Sequence, residues 1–216
     1  MKKIELLAPA GDRESFIAAV QNGADAIYLG GTLFSARANA KNFNDEDLQW
    51  AVSYAHLYGV KVYVTINTLY KDKEINALTS YVTKLYELQV DALIVQDIGL
   101  FDLIRILYPD FEIHISTQAS VMNSYGTRYF EENGAHRVVL ARENTLEEIQ
   151  NICRQTNLEI EVFVHGAMCV CYSGQCLMSS MIGKRSGNRG QCAQPCRLQY
   201  QLLKDGQSLP EKHPYL

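Results

Sequence analysis

Residues 22–30 of the chain are Asn-Gly-Ala-Asp-Ala-Ile-Tyr-Leu-Gly, a glycine after a helical segment, then a short turn and an apolar run. Glycine is favoured directly after a helix because it adopts the left-handed backbone conformation at little cost. Similar joints recur at residues 58–60, Tyr-Gly-Val, and at residues 133–136, Asn-Gly-Ala-His. Each joint predicts a helix that leads straight into a strand, which is the repeating unit of a parallel α/β sheet.

Outward from these joints, β-rich apolar runs alternate with segments of helical period. The predicted strands are Ile4–Ala8, Ala26–Gly30, Lys61–Ile66, Ala92–Val95, Glu112–Ser116, Arg137–Ala141 and Glu159–Val164. The helices between them have predicted N-caps at Asp12, Asn44 and Asn144. About seven βα units without a reversal signal predict a TIM-like (β/α) barrel, and residues 8–12, with one glycine, lack a dinucleotide-binding fingerprint.

Composition restricts the class of protein and its surroundings. The chain has 216 residues, is 47% hydrophobic and has a formal net charge of −4, which excludes a whole-surface nucleic-acid binder. No run approaches the roughly 18 apolar residues of a membrane span, and Pro9 interrupts the start too early for a signal peptide. We expect a cytoplasmic protein with no membrane partner, whose thiols stay reduced.

Five of the six cysteines lie between residues 161 and 200, interspersed with glycines: Cys169, Cys171, Cys176, Cys192 and Cys196. Clustered reduced thiols are typical of a metal site. Ligand chemistry alone leaves an iron–sulfur cluster and zinc equally open, because the Cys-x6-Cys spacing is usual for neither. The sixth cysteine, Cys153, is predicted to be a buried core thiol on the sixth helix.

Charged and aromatic side chains accompany these cysteines. Cations suited to RNA phosphates or to a dicarboxylate are Lys184, Arg185, Arg189 and Arg197, although a solvated loop would carry similar charges. Tyr172 and Tyr200 either stack on a base or pack in the fold.

In a (β/α) barrel, catalytic groups lie at the carboxyl ends of the strands. The residues there are Asn67, Gln96, Asp97, Ser116, Thr117, Gln118, Arg142, Glu143 and His165. His165 is a predicted acid/base residue, since imidazole titrates near neutral pH. Glu161, four residues earlier, is predicted either to orient His165 or to fill the barrel interior.

We divide the chain into a barrel scaffold at residues 1–165, a Cys/Gly-rich site segment at residues 166–200 on the carboxyl face, and a tail at residues 201–216. The tail has no periodic run that predicts an eighth strand. We therefore expect the barrel to be incomplete and the chain to lead into a missing C-terminal part.

Residues 161–179 are Glu-Val-Phe-Val-His-Gly-Ala-Met-Cys-Val-Cys-Tyr-Ser-Gly-Gln-Cys-Leu-Met-Ser. They resemble, position by position, the signature of the collagenase-like peptidase family U-32. Four flanking segments, residues 7–11, 26–31, 188–192 and 194–197, also resemble the family, so the likeness covers essentially the whole chain.

This resemblance implies either a peptidase of unassigned catalytic type or hydroxylation without molecular oxygen. Members of the second kind modify a wobble uridine of tRNA, a cytidine of large-subunit rRNA or a ubiquinone precursor. They carry a 4Fe-4S cluster, and prephenate is the implied oxygen source for the RNA members. By motif position the cluster ligands are Cys169, Cys176 and Cys192, with Cys196 as the local candidate for the fourth.

Three hypotheses follow. The preferred one is an iron–sulfur-dependent hydroxylase of RNA, with the tRNA wobble uridine as substrate. The second is a metal-assisted, collagenase-like peptidase in which His165 and Glu161 act as acid and base. The third is a non-catalytic assembly partner of a homologue.

Overall fold

The computed structural model describes residues 4–36 and 41–208. The strands are β1 (Leu7–Ala10), β2 (Ala26–Gly30), β3 (Lys61–Ile66), β4 (Ala92–Val95), β5 (Glu112–Ile115), β6 (Arg137–Val139), β7 (Glu159–Glu161), β8 (Leu203–Lys204) and β9 (Gln207–Ser208). The α-helices are α1 (Arg13–Gln21), α2 (Asp45–Leu57), α3 (Ile75–Glu87), α4 (Ile98–Leu107), α5 (Ser124–Glu132), α6 (Leu146–Cys153) and α7 (Met178–Gly183).

Strands β1 to β7 form one parallel sheet in chain order, which confirms the predicted incomplete TIM-like barrel. Side chains alternate between the two faces of each strand. Outward residues such as Ile27, Val64 and Leu93 are buried in the main apolar core beneath the helices. Inward residues such as Tyr63, Ala92 and Ile94 form a second, smaller cluster inside the curved sheet.

Several predicted strand ends are wrong because pairing with the neighbouring strand sets them. β1 pairs with β2 from Leu7 to Ala10, whereas the prediction placed it at Ile4–Ala8. β5 ends one residue and β6 two residues earlier than predicted. β7 ends at Glu161, and Val164, predicted to lie in it, is 88% exposed.

The predicted caps of α1 and α2, Asp12 and Asn44, are confirmed, since each side chain accepts from a backbone N–H of the first turn. The cap predicted at Asn144 is wrong. Thr145 caps α6 and Glu148 donates its backbone N–H to the Thr145 hydroxyl, while the Asn144 amide donates to the Met122 carbonyl. The shift by one residue arises because Thr145 and Glu148 make both bonds of a capping box.

Other helix starts also differ from the prediction. Residues 72–74, predicted as the start of the third helix, form a separate 3-10 turn before α3. The fourth helix begins at Ile98 and not at Gly99. The fifth begins at Ser124 and not at Val121, because the Asn123 side chain accepts from the Gly126 N–H and caps it.

Cys153 is exposed, so its prediction as a core thiol is wrong. It is the last residue of α6, and Ile152 is the residue of that helix that is buried.

The tail is also more regular than predicted. β8 and β9 form an antiparallel hairpin around Asp205-Gly206, both at positive φ, as an Asp-Gly turn requires. Pro210 and Pro214 lie outside the described residues. The division at residues 165 and 200 stays a prediction.

An ionic network lies inside the barrel around Arg137, the first residue of β6. Its guanidinium donates to the carboxylates of Glu159 at 2.6 Å, Glu5 at 2.7 Å and Glu161 at 3.3 Å. It also lies 5.3 Å from the centre of the Tyr63 ring. Because Glu5 precedes β1 and the other two carboxylates lie on β7, this one side chain joins the two ends of the sheet.

The charges of this network are set by burial and by hydrogen bonds. Burial by itself lowers the pKa of Arg137, but its bonds to Glu5 and Glu159 outweigh burial and raise the pKa overall, so the guanidinium stays charged. Burial raises the pKa of Glu161, and the nearby Arg137 partly opposes that shift. Burial lowers the pKa of His114, against its bond to Glu112, and the His114 Nδ1 atom has no hydrogen-bond partner among the described residues.

Replacement of Arg137 by Met is expected to lower the free energy of unfolding by about 3 kcal/mol or more, because buried carboxylates lose their counter-charge. Urea unfolding measures this loss. Arg154→Met, at an exposed position, is the matched control and should change stability by less than about 0.5 kcal/mol. Equal effects of the two substitutions would contradict the assigned role of Arg137.

Stability should also fall between pH 7 and pH 5 because of His114. Its pKa in the folded protein lies below the unfolded value of 6.5, so the unfolded state binds more protons as pH drops through that value. His114→Gln should give a shallower loss of unfolding free energy over this range. The pKa of Glu112 is lowered, so its contribution is lost only below its ordinary value of 4.5, and the shift of Glu161 is common to both proteins. Identical slopes in urea unfolding at pH 7, 6 and 5 would refute this assignment.

Candidate functional site

A layer of neutral polar side chains lies at the carboxyl ends of β3, β4 and β5. Asn67, Gln96 and Ser116 each follow an inward-facing residue by two positions, so they line the mouth of the barrel. Asn67 Nδ2 donates to Ser116 Oγ at 3.2 Å, and Gln96 Nε2 donates to the Gln118 carbonyl at 3.3 Å. We call these four residues the mouth layer.

The site segment is attached to the mouth at two anchors, the first of which is Ser173. Its N–H donates to Glu143 Oε1 at 2.9 Å, and its carbonyl accepts from Ser120 Oγ at 2.5 Å. Its hydroxyl oxygen accepts from the backbone N–H and the Nε of Arg142 at 3.3 and 3.2 Å. Gly174, at φ +73, follows directly, and a Cβ there would overlap the Gln118 carbonyl oxygen. This part of the segment therefore requires glycine.

The second anchor is Asn188-Arg189. Leu69 donates its N–H to the Asn188 carbonyl at 3.2 Å, and Arg189 donates to the Leu69 carbonyl at 2.8 Å and to Glu74 at 2.6 Å. The hydrogen bond from Arg189 holds the pKa of Glu74 below its usual value. The structure thus places the Arg189 guanidinium against the barrel, and its predicted contact with substrate stays a prediction.

The cysteines lie around these anchors, and all six thiols are free. Burial, and next the neighbouring Cys176 thiol with which it hydrogen-bonds, raise the pKa of Cys171, and Cys169 adds a smaller effect. Cys176 and Cys192 lie on either side of Gly187, where an added Cβ would be 3.8 Å from the Cys176 carbonyl oxygen and from the Cys192 Cβ. The sequence pattern left Cys171 out, whereas the structure places it beside two predicted ligands.

Metal-ligand geometry is not preformed here. Within residues 4–36 and 41–208, no three His, Cys, Asp or Glu side chains converge closely enough to hold a metal ion. The Cys192 Sγ atom does accept a hydrogen bond from the Gln194 N–H at 3.4 Å, and the free thiols are a suitable donor set for iron–sulfur or zinc.

The remaining predicted substrate-binding residues form a rim around the cysteines. Lys184 and Arg185 are exposed beyond α7, and Tyr172 is 62% exposed. Arg197 donates to the Met168 carbonyl at 2.5 Å, which brings the two ends of the site segment together. Arg142 was missed as a site residue, although its position after β6 is a signal for one.

The predicted acid/base residues are not brought together. Glu161 is bound to Arg137 inside the barrel, which supports the interior alternative, whereas His165 is exposed beyond the end of β7. In the part of the chain that the structure describes, no hydrogen bond joins the two side chains.

A family model described as Peptidase family U32 matches residues 11–215, which include the barrel and both anchors. The chain belongs to peptidase family U32. The resemblance seen in residues 161–179 is therefore confirmed.

Curated U32 relatives have names of two kinds. A tRNA hydroxylation protein of Bacillus subtilis is 42% identical over 94% of this chain and 48% of its own length. A 23S rRNA 5-hydroxycytidine synthase of Escherichia coli is 44% identical over 94% of this chain and 30% of its own length. A collagenase of Porphyromonas gingivalis is 35% identical over 94% of this chain and 51% of its own length. The chain thus spans about half the length, or less, of these U32 relatives.

The solved structure of a U32 peptidase, Mk0906, has a TM-score of 0.65 and 19% identity, covering 74% of this chain and 68% of that one. This likeness supports the U32 barrel fold alone. None of the helices in residues 4–36 and 41–208 has the length and apolar character needed to cross a membrane.

Gly174→Ala should loosen the site segment, because the new Cβ overlaps the Gln118 carbonyl and the left-handed backbone disfavours alanine. We expect trypsin to cut after Lys184 and Arg185 about tenfold faster, which corresponds to roughly 1.4 kcal/mol of local stability. Gly11→Ala is the control, because nothing lies within 4 Å of the position of its added Cβ. An unchanged cleavage rate for Gly174→Ala would refute the anchor.

Proposed function

We propose that this U32 chain carries the barrel part of an enzyme that hydroxylates RNA without molecular oxygen, with the tRNA wobble uridine as its target. The observation that carries the proposal is the 42% and 44% identity, over 94% of the chain, with relatives named for tRNA hydroxylation and for 5-hydroxycytidine synthesis in 23S rRNA. The reaction would take place in the cytoplasm, where these RNAs are found.

The composition of the site supports an RNA substrate. The cations Lys184, Arg185 and Arg197 lie on exposed loops of the site segment, where they can contact phosphates. The mouth layer is neutral and offers hydrogen-bonding groups of the kind that read a base edge. Tyr172, largely exposed, can stack on an unpaired base.

We further propose that a 4Fe-4S cluster is bound by Cys169, Cys176, Cys192 and Cys196, with zinc as the alternative ligand-compatible metal. The free thiols and the N–H bond to the Cys192 Sγ atom support this assignment, because such bonds are common around cluster sulfurs. Since the thiols are not preassembled, we expect the segment between its anchors to adjust on loading. When bound, the cluster supplies one-electron redox chemistry.

Prephenate is the proposed co-substrate and oxygen source. It is a dicarboxylate, and the guanidinium groups of Arg142, Arg185 and Arg197 are suited to bind carboxylates in bidentate fashion. Arg142 Nε is held by Ser173, which orients the rest of its guanidinium at the carboxyl face of the barrel.

A collagenase-like peptidase is the second candidate, favoured by the name of the Porphyromonas gingivalis relative. The proposed pair would be His165 and Glu161, but the bond of Glu161 to Arg137 commits that carboxylate to the barrel interior. Assembly with a homologue stays a third hypothesis.

Cys176→Ser, introduced into the natural gene, should reduce the hydroxylated nucleoside in cellular tRNA to the level found after gene deletion. Cys153→Ser is the matched control, because Cys153 is exposed on α6 and outside the site segment, and it should leave the nucleoside unchanged. Mass spectrometry of digested tRNA measures both. After anaerobic purification, about four irons and four sulfides per chain should be present and lost in Cys176→Ser.

Unchanged hydroxylated nucleosides in tRNA and rRNA after gene deletion would refute RNA hydroxylation. Chelator-sensitive gelatin cleavage by pure protein, abolished by His165→Ala, would then favour the peptidase. Stoichiometric zinc without sulfide would replace the cluster assignment.

A further inference from the structure

One side-chain atom of the mouth layer lacks a hydrogen-bond partner. Gln96 Oε1 is shielded from solvent, and no donor among the described residues reaches it. An unpaired buried acceptor costs about 1–3 kcal/mol, so such atoms are uncommon in folded proteins. Gln96 as a whole is half-buried, at the boundary between the barrel interior and its mouth. The unpaired oxygen therefore lies where a bound molecule can supply a donor.

The orientation of this carboxamide is fixed by its other end. Gln96 Nε2 donates to the Gln118 carbonyl at 3.3 Å. A flipped amide would place two carbonyl oxygens against each other, which is repulsive. The Gln118 carbonyl is itself held in place because Gly174 packs directly against it. Gln96 Oε1 is thus a positioned acceptor, and it selects a ligand that has an N–H or O–H donor.

The neighbours of Gln96 in the mouth layer are uncharged. Asn67 and Ser116 bond to each other, and Ser116 Oγ also accepts from the Gln118 N–H at 3.2 Å. Nearby Arg142 is attached to Ser173 on the next loop. A carboxylate or phosphate would find its cations on the surrounding loops, whereas the layer itself suits a neutral edge with hydrogen-bonding groups. A nucleobase taken out of its stack presents such an edge.

We propose that Gln96 reads the target pyrimidine, with its Oε1 accepting from the N3–H of uracil or the 4-amino group of cytosine. This inference rests on the proposed RNA substrate and adds a specificity-determining residue to that site. Lys184, Arg185 and Arg197 position the phosphates, and Gln96 distinguishes the base edge.

The test measures binding of short oligoadenylates that carry one central pyrimidine, using protein expressed from its complete gene. Fluorescence anisotropy compares uridine with 3-methyluridine, and cytidine with N4,N4-dimethylcytidine, since each methylated base lacks the donor. In the unaltered protein, the methylated base of at least one pair should bind about tenfold more weakly, consistent with roughly 1–3 kcal/mol for a base contact. This comparison requires no variant.

Gln96→Met keeps the side-chain length and should abolish that difference, with the unmethylated probe falling to the affinity of the methylated one. Gln155→Met, at an exposed position after α6, is the control and should keep the difference. Equal binding of both members of each pair by the unaltered protein, or a difference that survives Gln96→Met, overturns the proposal. Weaker prephenate binding by Gln96→Met, with no probe discrimination, also overturns it.

The two proposals fail separately. The binding measurement includes no hydroxylation step, so it is independent of the cellular nucleoside assay. A gene-dependent hydroxylated nucleoside without probe discrimination refutes only the role of Gln96. Probe discrimination without a gene-dependent nucleoside refutes only the hydroxylation.

Discussion

The guanidinium of Arg137 is the constraint on which the rest of the structure depends. Seven strands curve without a described bond between β7 and β1, so the backbone ladder does not hold the two ends of the sheet together. Arg137 does so through side chains, since its partners Glu5 and Glu159 come from opposite ends of the sheet. A buried ion pair is weak support in itself, but removal of one member leaves unpaired charge in the interior. The curvature that forms a barrel mouth is therefore coupled to this network.

At the other end of the barrel, hydrogen bonds replace ion pairs. Ser173, Gly174 and Arg189 attach the site segment to loops after β3, β5 and β6. Apolar packing contributes little there, because Met168, Val170 and Leu177 are each at least 60% exposed. A segment held at a few polar anchors can change shape between them without disturbing the barrel core. That property suits a loop whose thiols draw together around a bound group.

Periodicity and glycine joints predicted the order of strands and helices, because these signals are local to each βα unit. Strand ends were less predictable, since Leu7 and Glu161 mark where a neighbour stops pairing. The cap of α6 was placed one residue early because Asn144 and Thr145 are both good capping residues. The interior pairing of Glu5 with Arg137 joins residues 132 positions apart, and no local pattern reveals it. Similarly, the sequence marked Gln96 as a strand-end residue but could not show which of its two polar atoms is unpaired.

The two anchors also explain why cysteines spaced so unusually can serve one site. Residues 175–187 form a loop that starts at Gly174 and returns to the barrel at Asn188, which brings Cys176 next to Cys192 across Gly187. Spacing along the chain therefore reports little about separation in space. Cys171 and Cys176 already share a hydrogen bond, so a metal that takes Cys176 as a thiolate must break it. Since burial and Cys176 raise the pKa of Cys171, the Cys171 proton is the harder one to remove, and Cys171 is the less suited of the two to become a ligand.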